Sequence, residues 1–389
     1  MQIEDLRKGL QLARYYVQTG DSSGTGYSEQ ELSRYLTVRR YDKLTLLNYT
    51  NLAQYHAQWN PFLRVCRGLV IDTNGQIVSF PFHKFFNINE QPETHILEVS
   101  QWEFRSVTEK VDGVMIQVFR HEGKPVFASR HGIWTPSSIL ASELAKDIDC
   151  LVSSFDFPFT LICELVHPKV WQPGMIHYGA DVELLVPLFV RNLDTLELIP
   201  AHELLGDLPP RYRFPEQYRY RDIQSLVDDA GKHESHQWEG AVVQGAGERG
   251  NRLVKVKSLG YIRRLQLVRG LSPNRILQIY RQQGMDGVRD AIASVEEIVL
   301  TVPTIRSVIE ALEHEESRLR EEIRRYMLPR DRVMEVPQEW RWVVSYQGTG
   351  KMDTAIRKRV SGIVDRLFED SKRNANDAEY NDIEVSHEG

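Results

Sequence analysis

The sequence predicts an α+β protein, in which a body of short β-strands is followed by a helical domain. From about residue 44 to residue 257 the chain consists mostly of short apolar runs separated by turns. Two of these turns, at 73–75 and 121–124, resemble those of β-hairpins. After about residue 269 the apolar residues take a helical spacing, beginning at the start signal Ser272-Pro. With 389 residues and 41% hydrophobic composition, the chain is long enough for two or three domains.

Composition sets the limits of these domains and indicates the cellular setting. The body is predicted to span residues 1–268 and the helical domain residues 269–370, before an acidic and polar tail, 371–389, that is predicted to be disordered. No apolar run approaches the roughly 20 residues that a membrane helix needs. The charged beginning of the chain does not resemble a signal peptide. The three cysteines lack metal-ligand spacing, which favours reduced thiols in a cytoplasmic protein.

The distribution of charge says more than the net charge of −6. Nine Lys and Arg residues, and no Asp or Glu, lie between Arg249 and Met285. Such a run is either a solvated basic face or a track for a nucleic-acid backbone. The segment Arg211–Arg221 interleaves arginines with aromatic residues. It is either a surface hairpin or a platform on which single-stranded bases stack.

Several common catalytic motifs are excluded. The sequence GTGK ends at Lys351, but a phosphate loop would need a glycine at Ser345 and a Ser or Thr at Met352. The chain contains no HExxH zinc motif and no GxSxG nucleophile elbow. The scattered histidines are interpreted as structural or surface residues.

A set of charged residues in β-like runs, ordered around a KxDG motif, predicts the site. In the stretch EKVDGVMIQV, Lys110, Asp112 and Gly113 directly precede an apolar run. KxDG alone is weakly specific, so the prediction depends on the ordered set. Besides the motif, the set comprises Arg67, Lys84, Arg130, Glu164, Phe189, Arg191, Glu239, Gly240, Lys255, Lys257 and Tyr261.

Strand alternation gives this set a geometry that a structure can check. Lys255 and Lys257 would share one face of a strand, and Glu164 would face away from its two neighbours. Each charge alone is explained more simply by an exposed strand face, but the ordered set indicates a lined cleft. There, nearby cations and desolvation would lower the pKa of Lys110 from its usual ~10.4 and make the amine a nucleophile. The same cations would bind a triphosphate, and Gly113 would allow close approach of a ligand.

The ordered set resembles the motifs of the lysine-adenylate nucleotidyltransferases, which include ATP-dependent nucleic-acid ligases and mRNA capping enzymes. Within that superfamily, RGLVID, PFHKFFNINE and EKVDG are similar to the bacteriophage-type RNA ligase 1 family, over about residues 49–261. The resemblance implies an antiparallel-sheet nucleotidyltransferase (adenylation) domain, followed by an all-helical C-terminal domain that matches no motif. It also implies ATP as a substrate and Mg²⁺ or Mn²⁺ as the metal.

The resemblance also implies a role for each matching residue. Lys110 would accept AMP, and Tyr261 matches a tyrosine linked to RNA ligation. Arg130 stands where the family often has lysine, so its donor geometry differs. Asp286, with Asp290 as the next candidate, would contact the metal from the C-terminal domain. The nucleotide-binding residues would be Tyr49, Arg67, Lys84, Asp112, Gly113, Arg130, Glu164, Phe189, Glu239, Gly240, Lys255 and Lys257.

The implied reaction is the sealing of RNA in three steps. Lys110 attacks the α-phosphate of ATP, AMP passes to an RNA 5′-phosphate, and a 3′-hydroxyl then displaces AMP. The expected partners are RNA with such ends and an RNA end-healing enzyme, and the expected location is the cytoplasm, of the host if the protein is phage-encoded. The alternatives are a GTP-dependent capping-type guanylyltransferase, a DNA ligase and a non-catalytic RNA-binding protein.

Overall fold

A computed structural model describes residues 1–56, 58–153, 155–171, 175–234, 237–293, 303–327 and 334–367. The chain divides into two compact units, Met1–Arg263 and a second that begins at Arg264. The tail predicted for 371–389 lies outside the described residues. The assignment of an activity to each unit stays a prediction.

Three sheets form the first unit. Every neighbouring pair of strands is antiparallel except β5 and β13, which are parallel. The prediction of antiparallel sheets followed by a helical region is thus confirmed, with this one exception. The first sheet has the order β1 (Leu36–Arg40), β2 (Leu44–Tyr49), β3 (Arg67–Asp72), β4 (Ile77–Ser79). The second has the order β11 (Leu198–Pro200), β10 (Leu184–Asn192), β9 (Phe159–Val166), β7 (Val114–His121), β8 (Lys124–Ser129). The third has the order β5 (Phe86–Asn87), β13 (Leu253–Lys257), β12 (Gly240–Gly245), β6 (Phe104–Glu109).

Helices pack against these sheets in the first unit and form the second unit. In the first unit they are α1 (Ile3–Thr19), α2 (Glu29–Tyr35), α3 (Asn51–His56), α4 (Pro61–Val65), α5 (Ile96–Val99), α6 (Pro136–Leu144), α7 (Ile148–Val152) and α8 (Ile223–Lys232). The helix α9 (Leu259–Gly270) spans the division between the units. The second unit continues with α10 (Pro273–Ile292), α11 (Pro303–Tyr326), α12 (Arg341–Tyr346) and a helical stretch over residues 352–367, α13.

Local sequence signals account for many of these elements. The hairpin of β7 and β8 turns on Glu122 and Gly123, whose φ angles of 51° and 77° suit a two-residue hairpin loop. The helix α10 begins where Ser272 accepts a hydrogen bond from the backbone N–H of Arg275. Its interior contains a break at Gly284, where φ is 76°. The apolar strand β9 lies between β7 and β10 at the centre of the second sheet.

The apolar spacing of residues 137–155 predicts one continuous amphipathic helix, and this prediction is wrong in its continuity. The structure has two helices there, α6 and α7, separated by residues 145–147. At the break, Asp147 accepts hydrogen bonds from Arg211 Nε at 3.1 Å and from Tyr212 Oη at 2.8 Å. These partners lie more than 60 positions away in the chain, so helical periodicity carries no trace of them.

The same contacts show what the segment Arg211–Arg221 does. Tyr212 is buried, and Arg213 Nη1 lies 2.6 Å from Glu109 Oε2. The backbone N–H of Tyr218 donates to the carbonyl of Val107, so the segment braces β6. The interpretation as a base-stacking platform is therefore not supported, because its aromatic residues are committed to packing and internal hydrogen bonds.

Buried Arg191, which the sequence placed in the site, is a structural residue. Its guanidinium donates to the carbonyls of Pro81 (3.0 Å) and Leu196 (2.9 Å) and also to Asn251. The side chain is 0% exposed, and burial lowers the pKa of Arg191 to about 9. Arg191 therefore links Pro81, just after β4, to Leu196, which follows β10, and to Asn251, which follows β12.

Replacing Arg191 should therefore destabilise the first unit without involving the site. We expect Arg191→Met to lower the free energy of unfolding by about 3 kcal/mol or more, because several buried acceptors lose their donor. Urea unfolding followed by circular dichroism measures the effect. Arg221→Met, at a side chain that is 92% exposed, is the matched control. Equal stability of the two variants would contradict this role.

Candidate active site

The KxDG motif is placed by the register of the third sheet. Strand β12 pairs with β6 on one side and with β13 on the other. Ala241 lies opposite Glu109, and Gly240 lies opposite Lys257. The backbone N–H of Lys110 extends this pairing by donating to the carbonyl of Gly240 at 2.9 Å. Three segments that are far apart in sequence thus meet at the end of one sheet.

At this meeting point a buried carboxylate joins two lysines. Glu239 is 2% exposed, and its Oε2 lies 2.7 Å from Lys110 Nζ while its Oε1 lies 2.9 Å from Lys257 Nζ. Both lysine side chains are about four-fifths buried, with exposures of 21% and 23%. The predicted alternation is seen in β13, where Val254 and Val256 enter the core on the opposite face.

The ion pair corrects one expectation about the nucleophile. Desolvation acts to lower the pKa of Lys110, but the charges of Glu239, Glu164 and Asp112 outweigh it and raise the pKa above its usual value. Lys110 is therefore an ammonium in the structure, and the expected lowering of its pKa was wrong for this state. The lowered value belongs instead to Lys255, because of burial and the nearby cations Arg67 and Lys110, among others.

Two further carboxyl groups complete the surroundings of Lys110. Burial raises the pKa of Glu164 to about 7, and Glu164 Oε1 accepts a hydrogen bond from the Gly113 N–H at 3.2 Å. Burial and the charge of Glu239 raise the pKa of Asp112 to about 6. Asp112 Oδ2 accepts from the Ile176 N–H at 2.7 Å. Because both pKa values lie close to neutral pH, a bound cation or anion would change the charge that these two groups carry.

Tyr261 and Tyr178 hold the motif from outside the strands. Tyr261 is 4% exposed, and a hydrogen bond from its side chain to Asp112 acts to lower the pKa of that carboxyl. Lys257 Nζ lies 5.0 Å from the Tyr261 ring centroid. Tyr178 Oη accepts a hydrogen bond from the backbone N–H of Asp112 at 3.0 Å. Tyr178 was not predicted, since nothing in its local sequence distinguishes it.

The two glycines of the site are required by close packing of the backbone. A Cβ atom at Gly240, where φ is 135°, would lie 2.0 Å from the carbonyl oxygen of Val256. A Cβ atom at Gly113 would lie 2.4 Å from the carbonyl oxygen of Leu165. The close approach that the structure shows at Gly113 is to the neighbouring strand β9, and close approach of a ligand there stays a prediction.

A second group of predicted residues surrounds Tyr49, at the end of β2. Lys84 Nζ and Arg130 Cζ each lie 5.7 Å from the centroid of the Tyr49 ring. The charges of Arg67, Lys84 and Arg130 outweigh burial and lower the pKa of Tyr49. Burial lowers the pKa of Lys84, whose side chain is almost fully enclosed. The structure thus brings four predicted nucleotide-binding residues together.

Two aromatic residues of this group were missed by the sequence argument. Lys84 Nζ lies 5.2 Å from the ring centroid of Trp59 and 5.1 Å from that of Phe86. With Tyr49, these rings form an aromatic cage around the ammonium. Phe86 lies two residues from Lys84, which was a usable signal. Trp59 is brought in by the loop before α4, and no local pattern marks it.

Lys255 lies near cations of both groups, since the charges of Arg67, Lys84 and Lys110 all act on its pKa. Lys255 Nζ donates to the carbonyl of Phe85 at 3.2 Å and lies 4.3 Å from the ring centroid of Phe85. Phe189 is buried with Phe82 and Phe85 in one apolar cluster. Its ring packs edge-on against Phe82, with 5.6 Å between the ring centroids. Arg67 Cζ lies 5.8 Å from the centroid of the same Phe82 ring. Phe189 therefore supports the wall of the site.

Asp286 is the residue of the second unit that the sequence favours as a metal contact. Its side chain is 95% exposed and lies 3.6 Å from Arg289. It lines a polar cleft with Arg289, Arg320 and Arg357. Within the described ranges no group of three His, Cys, Asp or Glu side chains forms a ready metal site. The metal role of Asp286 stays a prediction, as does that of Asp290.

The carboxylates around Lys110 nevertheless suit a hard cation. Asp112, Glu164 and Glu239 supply oxygen donors beside the amine, and two of them have a raised pKa that a nearby positive charge would lower. Mg²⁺ usually keeps several waters and takes only one or two carboxylates, so it does not need an all-protein cage.

No helix in the described part of the chain is both long and apolar enough to cross a membrane.

Comparisons with known proteins identify the family of the chain. The model of a family described as RNA ligase matches residues 65–258, about half of the chain. RNA ligase 1 from bacteriophage TS2126 is 26% identical over 308 residues, which cover 72% of this chain and 72% of that protein.

Solved structures show more distant similarity. An archaeal ATP-dependent RNA ligase is 15% identical, with a TM-score of 0.48, over 77% of this chain and 81% of that one. A Naegleria gruberi RNA ligase solved with AMP and Mn is 14% identical, with a TM-score of 0.36. That match covers 47% of this chain and 57% of the Naegleria chain, less than two thirds of its length. The family assignment rests on the sequence matches.

The raised pKa of Glu164 predicts how stability depends on pH. Between the usual Glu value, near 4.5, and about 7, the native state holds a proton that the unfolded chain has released. The free energy of unfolding should therefore fall as pH rises through this range, by about 2–3 kcal/mol from this residue. In Glu164→Gln this part of the decrease should be absent, and only the smaller part from Asp112, whose pKa is raised to about 6, should remain. Urea unfolding at pH 5 and pH 8 tests this, with exposed Glu29→Gln as the control; the same pH slope in both variants would contradict it.

Proposed function

Because the chain belongs to the RNA ligase family, we propose that it is an ATP-dependent RNA ligase whose nucleophile is Lys110. The observation that carries the proposal is the meeting of Lys110, Glu239 and Lys257 in one buried cluster. These positions match the KxDG lysine, the motif-four acid and a motif-five lysine of the family that the sequence resembles. An exposed Lys110 far from Lys257 would have been incompatible with such chemistry.

The first step would transfer AMP to Lys110. The amine attacks the α-phosphate of ATP, a phosphoramidate bond forms, and the bond to pyrophosphate breaks. Lys110 must first lose a proton, and its ion pair with Glu239 at 2.7 Å opposes this loss, so the attack would require Glu239 to change partners. Arg67, Lys84 and Arg130 would hold the phosphates, because their guanidinium and ammonium groups surround one side of the site. The remaining work is positioning, as expected for phosphoryl transfer.

The later steps would seal the RNA. AMP passes from Lys110 to a 5′-phosphate of RNA, and a 3′-hydroxyl attacks that phosphate with release of AMP. Tyr261 is hydrogen-bonded to Asp112, and the ammonium of Lys257 lies over its ring. Through these two contacts it would hold the KxDG motif in place during the later steps. When Mg²⁺ or Mn²⁺ is bound, it would neutralise charge on the phosphates. Asp112, Glu164 and Glu239 are the residues that would hold it or its waters.

The cellular context belongs to this proposal. RNA with 5′-phosphate and 3′-hydroxyl ends would be the substrate, in the cytoplasm, or in a host cytoplasm if the protein is phage-encoded. An RNA end-healing enzyme that leaves such ends would then act before it. The similarity to a bacteriophage RNA ligase 1 supports this setting.

Covalent labelling tests the nucleophile directly. Protein incubated with α-labelled ATP and divalent metal should gain one AMP, and Lys110→Ala should lose this label completely. Lys124→Ala, at an exposed lysine of the same unit, is the matched control and should label normally. A mass spectrum of the digested protein locates the adduct.

The outcomes of labelling also separate the alternatives. Labelling by GTP in place of ATP would indicate a capping-type guanylyltransferase. Sealing of DNA ends but not RNA ends would indicate a DNA ligase. RNA binding without any nucleotide adduct would leave a non-catalytic RNA-binding protein.

The cage around Lys84 predicts an effect that is confined to ATP binding. Trp59→Leu should raise the KM for ATP about fivefold, because a partly buried cation–π contact is worth about 1 kcal/mol. Trp59→Phe keeps an aromatic face and should change KM less. Sealing of a pre-adenylated RNA should be unaffected in both variants, since no pyrophosphate is present in that step. A Leu variant with a normal KM for ATP would show that the cage does not position Lys84.

A further inference from the structure

Trp134 is exposed in a way that packing does not explain. It is 77% exposed, the highest value among the exposed large hydrophobic side chains of the described residues. Beside it lies a groove of about 370 Å³ between the end of β8 and the helix α6. The lining of this groove, which we call the Trp134 groove, includes Phe127, Ile133, Trp134, Ile139, Ser142 and Lys146.

The loop that carries Trp134 is fixed to the active site. Arg130, four positions earlier, lies over the ring of Tyr49. The loop turns tightly, with the Ser129 N–H donating to the carbonyl of Gly132 at 2.9 Å. The Ile133 N–H donates to Tyr41 Oη at 3.0 Å, which anchors the far side of the turn. Four residues span at most about 14 Å, so Trp134 lies within a few nucleotides of the site.

The charges around the loop favour a polyanion. The lining of the groove contains Lys146 and neither Asp nor Glu. The nearby carboxylate of Asp149 is paired with Arg120 at 2.8 Å. On the side of the loop towards Arg130, three cations lie around His131, namely Arg130, Arg39 and Arg67. Burial and these charges lower the pKa of His131. A single-stranded nucleic acid offers both phosphates for these cations and base faces for an exposed indole.

From this combination we propose that the Trp134 groove holds a single-stranded segment of the RNA substrate, with a base stacked on Trp134 and the backbone near Lys146. The inference rests on the proposed RNA ligase function and deepens it, because it assigns an RNA contact outside the nucleotide site. A rigid loop then carries both a nucleotide-site cation, Arg130, and a stacking ring. One end of the RNA would be held while its terminal phosphate or hydroxyl reaches Lys110.

The test compares Trp134→Ala, Trp134→Phe and a matched control, Leu97→Ala. Leu97 is another exposed large apolar residue of the same unit, at 68%. Trp134→Ala should raise the KM for single-stranded RNA in ligation about tenfold, the change given by a lost stack of ~1.4 kcal/mol. Trp134→Phe should retain most of the affinity. Lysyl-AMP formation should be normal in all three variants, because the first step uses no RNA.

A second measurement keeps the inference testable if Trp134→Ala folds poorly. Lys146→Ala should reduce the slope of log affinity against log salt concentration, measured with a fluorescent single-stranded RNA, by about 0.7. An unchanged RNA affinity in both Trp134→Ala and Lys146→Ala would overturn the inference. So would a change in self-association with unchanged RNA affinity, because the groove would then be a protein interface. A wild-type protein that forms no lysyl-AMP would instead refute the proposed function itself.

Discussion

The buried carboxylate of Glu239 between Lys110 and Lys257 is the interaction on which the site depends. A carboxylate taken out of water without a partner costs several kcal/mol, so the acid and the two ammonium groups have to be buried together. They come from three segments, and only the pairing of β12 with both β6 and β13 brings them within 2.9 Å. The register of the third sheet and the electrostatics of the site are therefore one constraint. A slip of one residue in either pairing would move a lysine to the apolar face.

That constraint also explains why the nucleophile is an ammonium in this structure. Three acidic groups surround Lys110, and their attraction exceeds the effect of burial on its pKa. The surrounding acids are shifted as well. Burial raises the pKa of Glu164 to about 7, and burial with the charge of Glu239 raises that of Asp112 to about 6. A triphosphate would compete with Glu239 for Lys257, and a divalent cation would compete with the lysines for the carboxylates. Activation of the amine thus requires a change of partners, which the nucleotide and the metal would supply.

The sequence predicted the features that arise from local patterns. Alternation in LVKVK placed the two lysines of β13 on one face, and the turn at Glu122-Gly123 marked a hairpin. The ordered set around KxDG contained most of the residues that meet in the site. Long-range contacts decided the exceptions: Asp147 breaks a predicted helix by binding Arg211, and Arg191 turns away to bind backbone carbonyls. No local sequence pattern marks Trp59, because its contact with Lys84 is made by a loop from elsewhere in the chain.

The two groups of cations in the site differ in what they are paired with, and this difference has a physical consequence. Lys110 and Lys257 are held by a carboxylate. Within the described ranges, Lys84 and Arg130 have no carboxylate at ion-pair distance and lie against aromatic rings instead. An aromatic face attracts a cation less strongly than a carboxylate does, so these side chains are positioned while most of their charge is left for an anion. The aromatic group is therefore suited to phosphate capture, and the acidic group to the control of a proton on Lys110.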